Sequence, residues 1–388
     1  MGPRSIGIGM IGYQFMGKAH SHAYRDLPFY FGQDPYPAMK AIAGRDGRRV
    51  AEAAQRMGWD SYETDWRVLL ERADIDVIDI CTPNASHAEI AIAAAEAGKH
   101  ILCEKPLALN ASEAWTVLEA VRKAGVIHMI CHNYRFAPAV LLAKKLITEG
   151  KLGRIYHLRA TYLQDWLADP FAPYSWRMSK AVSGSGAHGD LASHSVDLAR
   201  FLLGEIRAVS GLLPRFVSER PDPDGNPVQV DVDDASIFMA EFACGAAGTF
   251  EATRYAGGNR NGNRFEINGE RGSLRWDMEK MNQLEVYFAD DPAEVQGFRS
   301  VSCTENCHPY GGTYWPAGHI IGYEHTFIHV MHELVQGIER RVNPEPNFGD
   351  GLRNQLVLDA VEESSTTRQW VDVQDVEGMI LSGSSEDK

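Results

Sequence analysis

From residue 5 to residue 131 short apolar runs alternate with longer amphipathic ones, and that alternation constrains the fold more than any other feature of the chain. Ser5 to Ile11, Met39 to Ala43, Asp76 to Cys81, His100 to Cys103 and Ile127 to Cys131 read as strands. Lys18 to Leu27, Arg49 to Met57, His87 to Ala97 and Ser112 to Ala124 read as the helices between them. A strand–helix alternation of this kind predicts a doubly wound parallel sheet. Beyond it, Asp234 to Phe242, Gly248 to Arg254, Arg264 to Asn268 and Gly272 to Trp276 alternate polar with apolar residues between turn signals, as an antiparallel sheet does. Helices over Ala139 to Glu149 and Asp190 to Leu203 would cover one of its faces.

The turn after the first strand is Gly12-Tyr13-Gln14-Phe15-Met16-Gly17. A regular expression finds G-x-G-x-x-G at Gly7, Gly9 and Gly12 instead, but those glycines lie inside the strand, where no helix follows to present its amino end to a phosphate. In the phase that fits, Gln14 replaces the second glycine and the fingerprint is degenerate. Gly12, Phe15, Met16 and Gly17 are the candidate cofactor contacts. The second strand ends at Gly44-Arg45-Asp46 after a long connection holding Pro28, Pro35 and Pro37. A carboxylate there would take the ribose 2′-hydroxyl of NAD, whereas an arginine accommodates the 2′-phosphate of NADP. Gly44 offers no carboxylate, Arg45 leans toward NADP unless it simply faces solvent, and Asp46 could restore NAD.

Cys103-Glu104-Lys105-Pro106-Leu107 places a lysine at a strand's carboxyl end, where open α/β sheets bind ligands. An ammonium on a flexible stem can there donate to a substrate hydroxyl. Thr82-Pro83-Asn84 ends the neighbouring strand, with His87 just beyond. A second cluster, Gly184-Ser185-Gly186-Ala187-His188-Gly189-Asp190-Leu191-Ala192-Ser193-His194, sets Asp190 and His194 four residues apart on one helical face. The carboxylate would orient an imidazole that accepts a proton. Asp197 reads as a packing or capping residue.

The length of 388 residues leaves room for two domains. A net charge of −14 repels phosphate backbones and anionic membranes, so nucleic acid and membrane surfaces are not expected partners. No apolar run is long enough to span a bilayer and no leader opens the chain, which places it in the cytoplasm as an expectation. Six cysteines are too few for a disulfide scaffold of this size, and Cys303 to His308 has no zinc-knuckle spacing, so no metal is expected.

Together Glu104-Lys105-Pro106, Thr82-Pro83-Asn84, Asn133-Tyr134-Arg135-Phe136 and the Asp190/His194 pair make the chain resemble the glucose-fructose oxidoreductase, inositol dehydrogenase and rhizopine-catabolism (Gfo/Idh/MocA) family. The resemblance implies an α/β fold: a dinucleotide-binding Rossmann domain, placed here at residues 1–131, and a C-terminal α+β substrate domain at 132–388 with a large, open, mostly antiparallel sheet that often forms a subunit interface. It implies a homodimer or homotetramer, NAD (with NADP possible) as cofactor, contacts to it from Gly12, Phe15, Met16, Gly17, Arg45, Thr82, Pro83, Asn84, His87, Glu104 and Lys105, and catalysis by Lys105, Asp190 and His194. Within the family, Tyr162 to Trp166, Ser175-Trp176-Arg177, Glu251 to Arg254, His308 to Gly311 and Trp315-Pro316 resemble enzymes that oxidise the 3-hydroxyl of an anhydro-glucose, although Gly44 departs from the acid expected there. Trp166 and Trp176 could stack on a pyranose while Tyr134, Arg177, His194, His308 and Tyr310 meet its hydroxyls. The expected function is therefore NAD(P)-dependent oxidation of a ring hydroxyl, C3 foremost, of a glucopyranose-like sugar. The alternatives are an NAD-dependent glycosidase working through transient C3 oxidation, an inositol dehydrogenase, and a sensor that has lost its chemistry.

Overall fold

Six parallel strands form the first sheet, in the order β3-β2-β1-β4-β5-β6: β1 (Ser5–Ile11), β2 (Tyr36–Ala43), β3 (Ser61–Glu63), β4 (Val77–Ile80), β5 (His100–Glu104) and β6 (His128–Cys131). This is the order of a Rossmann sheet, and it reverses between β1 and β4. The crossovers are α1 (Phe15–Phe31), α2 (Gly47–Met57), α3 (Arg67–Glu71), α4 (His87–Glu96) and α5 (Ala111–Ala124). Because helices cover both faces, β1 and β4 carry apolar residues on both sides, and Ile8, Met10, Ile78 and Ile80 are fully buried.

The computed structural model describes residues 4–32 and 34–386. It divides into two compact units, Met1–Ala108 with Ser112–Phe136 and Ile321–Leu352, and Leu109–Ala111 with Ala137–Ile320 and Arg353–Lys388. The division expected after residue 131 does not describe this grouping. The helix Tyr323–Arg340 returns to the first unit and packs against α1. Its apolar face (Phe327, Ile328, Val330, Met331, Leu334) is what α1 needs for cover. The long proline-bearing connection is also corrected. Pro28 lies inside α1 and its carbonyl caps Gly32, while Pro37 lies in β2, where β3 pairs only with Ala41 to Ala43. That stretch of β2 pairs with β1 alone, its β3 side being open, and a missing N–H costs little on the open side.

In the second unit nine strands follow the order β16-β15-β14-β13-β7-β12-β11-β8-β17. They are β7 (Ile155–Leu163), β8 (Ile206–Leu212), β11 (Ala235–Phe242), β12 (Ala247–Thr253), β13 (Gly262–Gly269), β14 (Gly272–Asp277), β15 (Gln283–Phe288), β16 (Arg299–Ser302) and β17 (Val371–Asp372); β9 (Glu219–Pro221) and β10 (Pro227–Gln229) make a separate ribbon. Every neighbouring pair is antiparallel except β7 with β12. On the buried face the directly opposed Phe238 and Phe250 stack at 4.4 Å between centroids. The helices Pro138–Thr148 and Ser193–Leu203 lie on that side. The other face carries Arg159, Glu266 and Arg275 in an ion-paired row beside half-exposed Ile237 and Met239. Among the described residues no helix is long and apolar enough to cross a membrane.

Candidate active site

α1 begins where Gly12 takes φ +107°, a region closed to other residues without strain. A Cβ at Gly12 would strike the Cys81 carbonyl and one at Gly17 the Gly12 carbonyl, so both glycines are required for the turn to close against the sheet. Gln14 at the N-cap makes no capping bond with its side chain, and the first turn holds no acid. The N–H groups at Phe15, Met16 and Gly17 are thus left to an anionic ligand by the helix itself, a cradle that fits a pyrophosphate despite Gln14.

At the next strand ends the loops are tied to one another. Ser86 Oγ donates to Thr82 Oγ1 at 2.7 Å, closing the Thr82-Pro83-Asn84 turn ahead of α4. The His87 ring is fully buried, with Nδ1 2.7 Å from the Pro106 carbonyl and Nε2 2.9 Å from that of Thr82. Burial lowers its pKa, so the ring is neutral and its single N–H donates to one of the two carbonyls. His87 braces the two loops. The Lys105–Pro106 bond is cis, and Lys105 is half-buried. Glu104 points inward: Oε2 accepts from the Lys105 N–H at 3.2 Å and Oε1 lies 3.0 Å from Nε2 of buried His20. His20 and its further partner Asp79 were not anticipated. An acid in the middle of Val77-Ile78-Asp79-Ile80, an otherwise apolar strand, was the available signal.

At the end of β2 the Tyr13 ring covers Gly44 so closely that a Cβ there would clash with the ring edge, 2.2 Å from its Cε1. Arg45 is exposed, and Asp46 is the N-cap of α2, accepting from Arg49 N–H at 3.0 Å.

In the second unit the glycine-rich segment folds into a π-helical turn, His188–Ala192, that runs into the helix Ser193–Leu203. Such turns recur at functional sites. Asp233 secures its start, accepting from the N–H groups of Gly186 and His188 at 2.7 and 2.8 Å. Asp190 is held by Arg254, whose Nη2 lies 2.7 Å from Oδ2. Arg254 is almost wholly buried and was absent from the expected site residues, although its motif was noticed. It also lies 5.1 Å from the ring of half-exposed Trp166. Arg177 stacks on Trp176 at 4.4 Å; burial lowers its pKa while Asp190 partly restores it. His194 is buried, its ring 5.8 Å from that of Tyr162. Asp197 is buried and accepts from Asn354, as a packing residue would.

The loop after Trp166 is shaped by Arg220, buried and bonded to the carbonyls of Leu167, Asp169 and Ala172 and to the Tyr255 hydroxyl. Below it Leu167, Met178, Val230 and Val232 form a small core of their own. Further along, His308 Nδ1 accepts from the Glu305 N–H at 3.2 Å, which leaves its other ring nitrogen as the donor, and Tyr310 sits at φ +60°. Tyr134, in contrast, is buried in the first unit with its ring 6.3 Å from that of Tyr323.

Residues 6–132 match the oxidoreductase family with an NAD-binding Rossmann fold, and residues 140–275 match the GFO/IDH/MocA C-terminal domain. The chain is 46% identical to levoglucosan dehydrogenase of Pseudarthrobacter phenanthrenivorans, over 95% of this chain and 98% of that one. The chain belongs to the GFO/IDH/MocA oxidoreductase family. A solved structure of levoglucosan dehydrogenase in complex with NADH and levoglucosan superposes with a TM-score of 0.92 at 47% identity, covering 95% of this chain and all of that one. An oxidoreductase domain protein from Kribbella flavida superposes at 0.93 with 51% identity, over 95% and 99% of the two chains. As a member of this family the protein is an oxidoreductase, and NAD is its cofactor. The glycine cradle at the head of α1 agrees with that assignment.

Proposed function

We propose that the protein oxidises a ring secondary hydroxyl of a glucopyranose-like sugar, levoglucosan foremost, at C3. The observation that carries this reading is the likeness, along nearly the whole chain, to levoglucosan dehydrogenase. The cofactor, when bound, supplies the hydride acceptor. Gly12, Phe15, Met16 and Gly17 hold its pyrophosphate at the α1 amino end, and Thr82, Pro83, Asn84 and Lys105 form the strand-end wall around it, with Glu104 turned inward behind Lys105. Arg45 lies where the adenosine ribose is read. Lys105 donates to the reacting hydroxyl and stabilises the alkoxide charge that develops there. His194 takes the hydroxyl proton. Asp190, locked in place by Arg254, keeps a negative charge beside this chemistry. Trp166 and Trp176 offer planes to the pyranose, and Arg177, His308 and Tyr310 meet its hydroxyls. Tyr134 lines the site from within rather than by an exposed ring.

The row of paired charges with Ile237 and Met239 on the open face of the nine-stranded sheet is the surface by which copies associate, as a homodimer or homotetramer. The molar mass in solution tests this; a monomer at micromolar concentration would refute it. For the activity, a panel of anhydro-sugars, sugars, glycosides and inositols is incubated at alkaline pH with NAD and with NADP while reduced nicotinamide is followed. The expected result is NADH formation fastest with levoglucosan, and a 3-keto product by NMR. Release of an aglycone at constant NADH would instead make the enzyme a glycosidase. Preference for an inositol would remove the pyranose reading.

A further inference from the structure

His20 lies on the inward face of α1, three residues after Gly17, the last of the cradle, and is wholly buried. Both of its ring nitrogens face carboxylates: Nδ1 is 2.9 Å from Asp79 Oδ2 and 3.0 Å from Oδ1, and Nε2 is 3.0 Å from Glu104 Oε1. An ionised carboxylate can only accept, so each nitrogen must carry a proton to bond its partner. The ring is then a cation between two anions, arranged with the hydrogen bonds that buried charges need in order to persist. Glu104 passes the restraint on, because its second oxygen accepts from the Lys105 N–H.

We propose that His20 is a positioning residue, held as a buried imidazolium, that fastens Glu104 and through it the main chain of Lys105. This rests on the reading of Lys105 as a catalytic residue. The same ring joins α1 to β4 and to the end of β5, whereas the cradle turn is closed by the close backbone packing of Gly12 and Gly17 and does not depend on it. The titratable groups around it are Asp79 from β4, Cys81 just beyond that strand, Glu104 from β5, Cys131 from β6, Tyr24 from α1 itself and Tyr323 from the returning helix. Burial raises the two thiols, Cys131 to about 12, and both phenols, so these four stay neutral. Burial is the largest single influence and lowers the pKa of His20, but the charge and hydrogen bond of Asp79, with the neighbouring Cys81 and Cys131, together outweigh it and the result lies well above the ordinary value. For Glu104 burial would raise it, and His20 brings it below the ordinary value.

Imidazole, carboxylate and thiol are also metal-ligand types, and His20 with Asp79 and Cys81, or with Glu104 and Cys131, could hold an ion. Neutral thiols and two satisfied nitrogens favour the proton over the metal.

The decisive measurement needs no substrate. In the intact chain with histidine ring nitrogens labelled with nitrogen-15, one of the fourteen histidines should keep both ring protons well above the pH at which an ordinary imidazole loses one, and that signal should vanish in His20→Gln. If every histidine in the wild-type protein loses a ring proton in the ordinary range, the imidazolium is wrong. Stoichiometric zinc in the purified protein would overturn it as well. His20→Gln should lower kcat about tenfold to a hundredfold, the scale of a misplaced catalytic group, while the Kd for NADH changes less than about threefold. Normal kcat in His20→Gln together with an inactive Lys105→Ala would overturn the positioning role. Full turnover in Lys105→Ala would instead defeat the reading of Lys105, and with it the catalytic meaning of the restraint, while the ring-proton signal still decides the charge state of His20.

Discussion

The two units handle charge in opposite ways. In the first, Asp79 and Glu104 are sunk at the sheet's core on either side of His20 and bonded to it, and Lys105, next in the chain, is partly exposed. In the second, Asp190, Arg177 and Arg254 stand beside the rings of Trp166 and Trp176 on loops and a helix start, with Asp190 about a third exposed. The first arrangement suits a partner that never changes, the dinucleotide. The second suits a ligand read by planes and hydroxyls, which a few loop substitutions can re-specify.

If that contrast is right, losing the reacting groups themselves should be most costly. Lys105→Ala and His194→Ala are expected to lower kcat by about 10² to 10⁴, with little change in the Kd for NADH. A fall in cofactor affinity equal to the fall in kcat would move Lys105 to a binding role and blur the division between the units.

Next comes a difference in acid stability. His128, buried in the first unit with Nδ1 accepting from the Phe348 N–H, has its pKa lowered by burial from 6.5 to about 4. The unfolded chain therefore binds a proton between these values that the folded chain refuses. Its contribution is complete above pH 6.5 and is lost as the pH falls toward 4, by about 3 kcal/mol at most. Thermal melts across that range should drop steeply in the wild type, and a His128→Gln variant should lose that part of the slope. An unchanged slope would assign the acid sensitivity to other groups.

A smaller effect is expected from Arg254→Ala. Removing it takes the buried Arg254 cation away from Asp190 and from the Trp166 ring, at about 1 to 3 kcal/mol of stability. The KM for sugar should rise about tenfold on the same energy scale, with NADH binding unchanged. An effect on NADH instead would erase the contrast between the two units.

The smallest concerns cofactor choice. Gly44→Asp alone should displace the Tyr13 ring and weaken both dinucleotides. Combined with Tyr13→Ala, the new carboxylate should raise the NAD-to-NADP ratio of kcat/KM by about tenfold. An unchanged ratio would mean that discrimination is made elsewhere, with Arg45→Ala as the next variant.

The parallel sheet was legible because its strands are apolar runs between helices, and so were the sites that chemistry marks in short motifs: the α1 turn, Glu104-Lys105-Pro106, Asp190 and His194. What could not be read is what arrives from far along the chain. The sequence gives no local reason for Tyr323–Arg340 to cover α1, or for Arg254 to reach Asp190. β7, the strand near the middle of the second sheet, has the weakly patterned sequence Ile-Tyr-His-Leu-Arg-Ala-Thr-Tyr-Leu and was missed for that reason. Asp46 was considered for ribose recognition, but a helix start three residues before Arg49 claims its carboxylate first.

Arg220 gives the loop after Trp166 a property that its own sequence does not. The arginine grips main-chain carbonyls at Leu167, Asp169 and Ala172, groups that every residue type supplies. The path of the loop is thereby uncoupled from its composition. Side chains along it can drift, or be exchanged by an engineer seeking a different sugar, while the backbone keeps its course; the one substitution the arrangement cannot absorb is at Arg220 itself, far from the positions where new specificity would be sought.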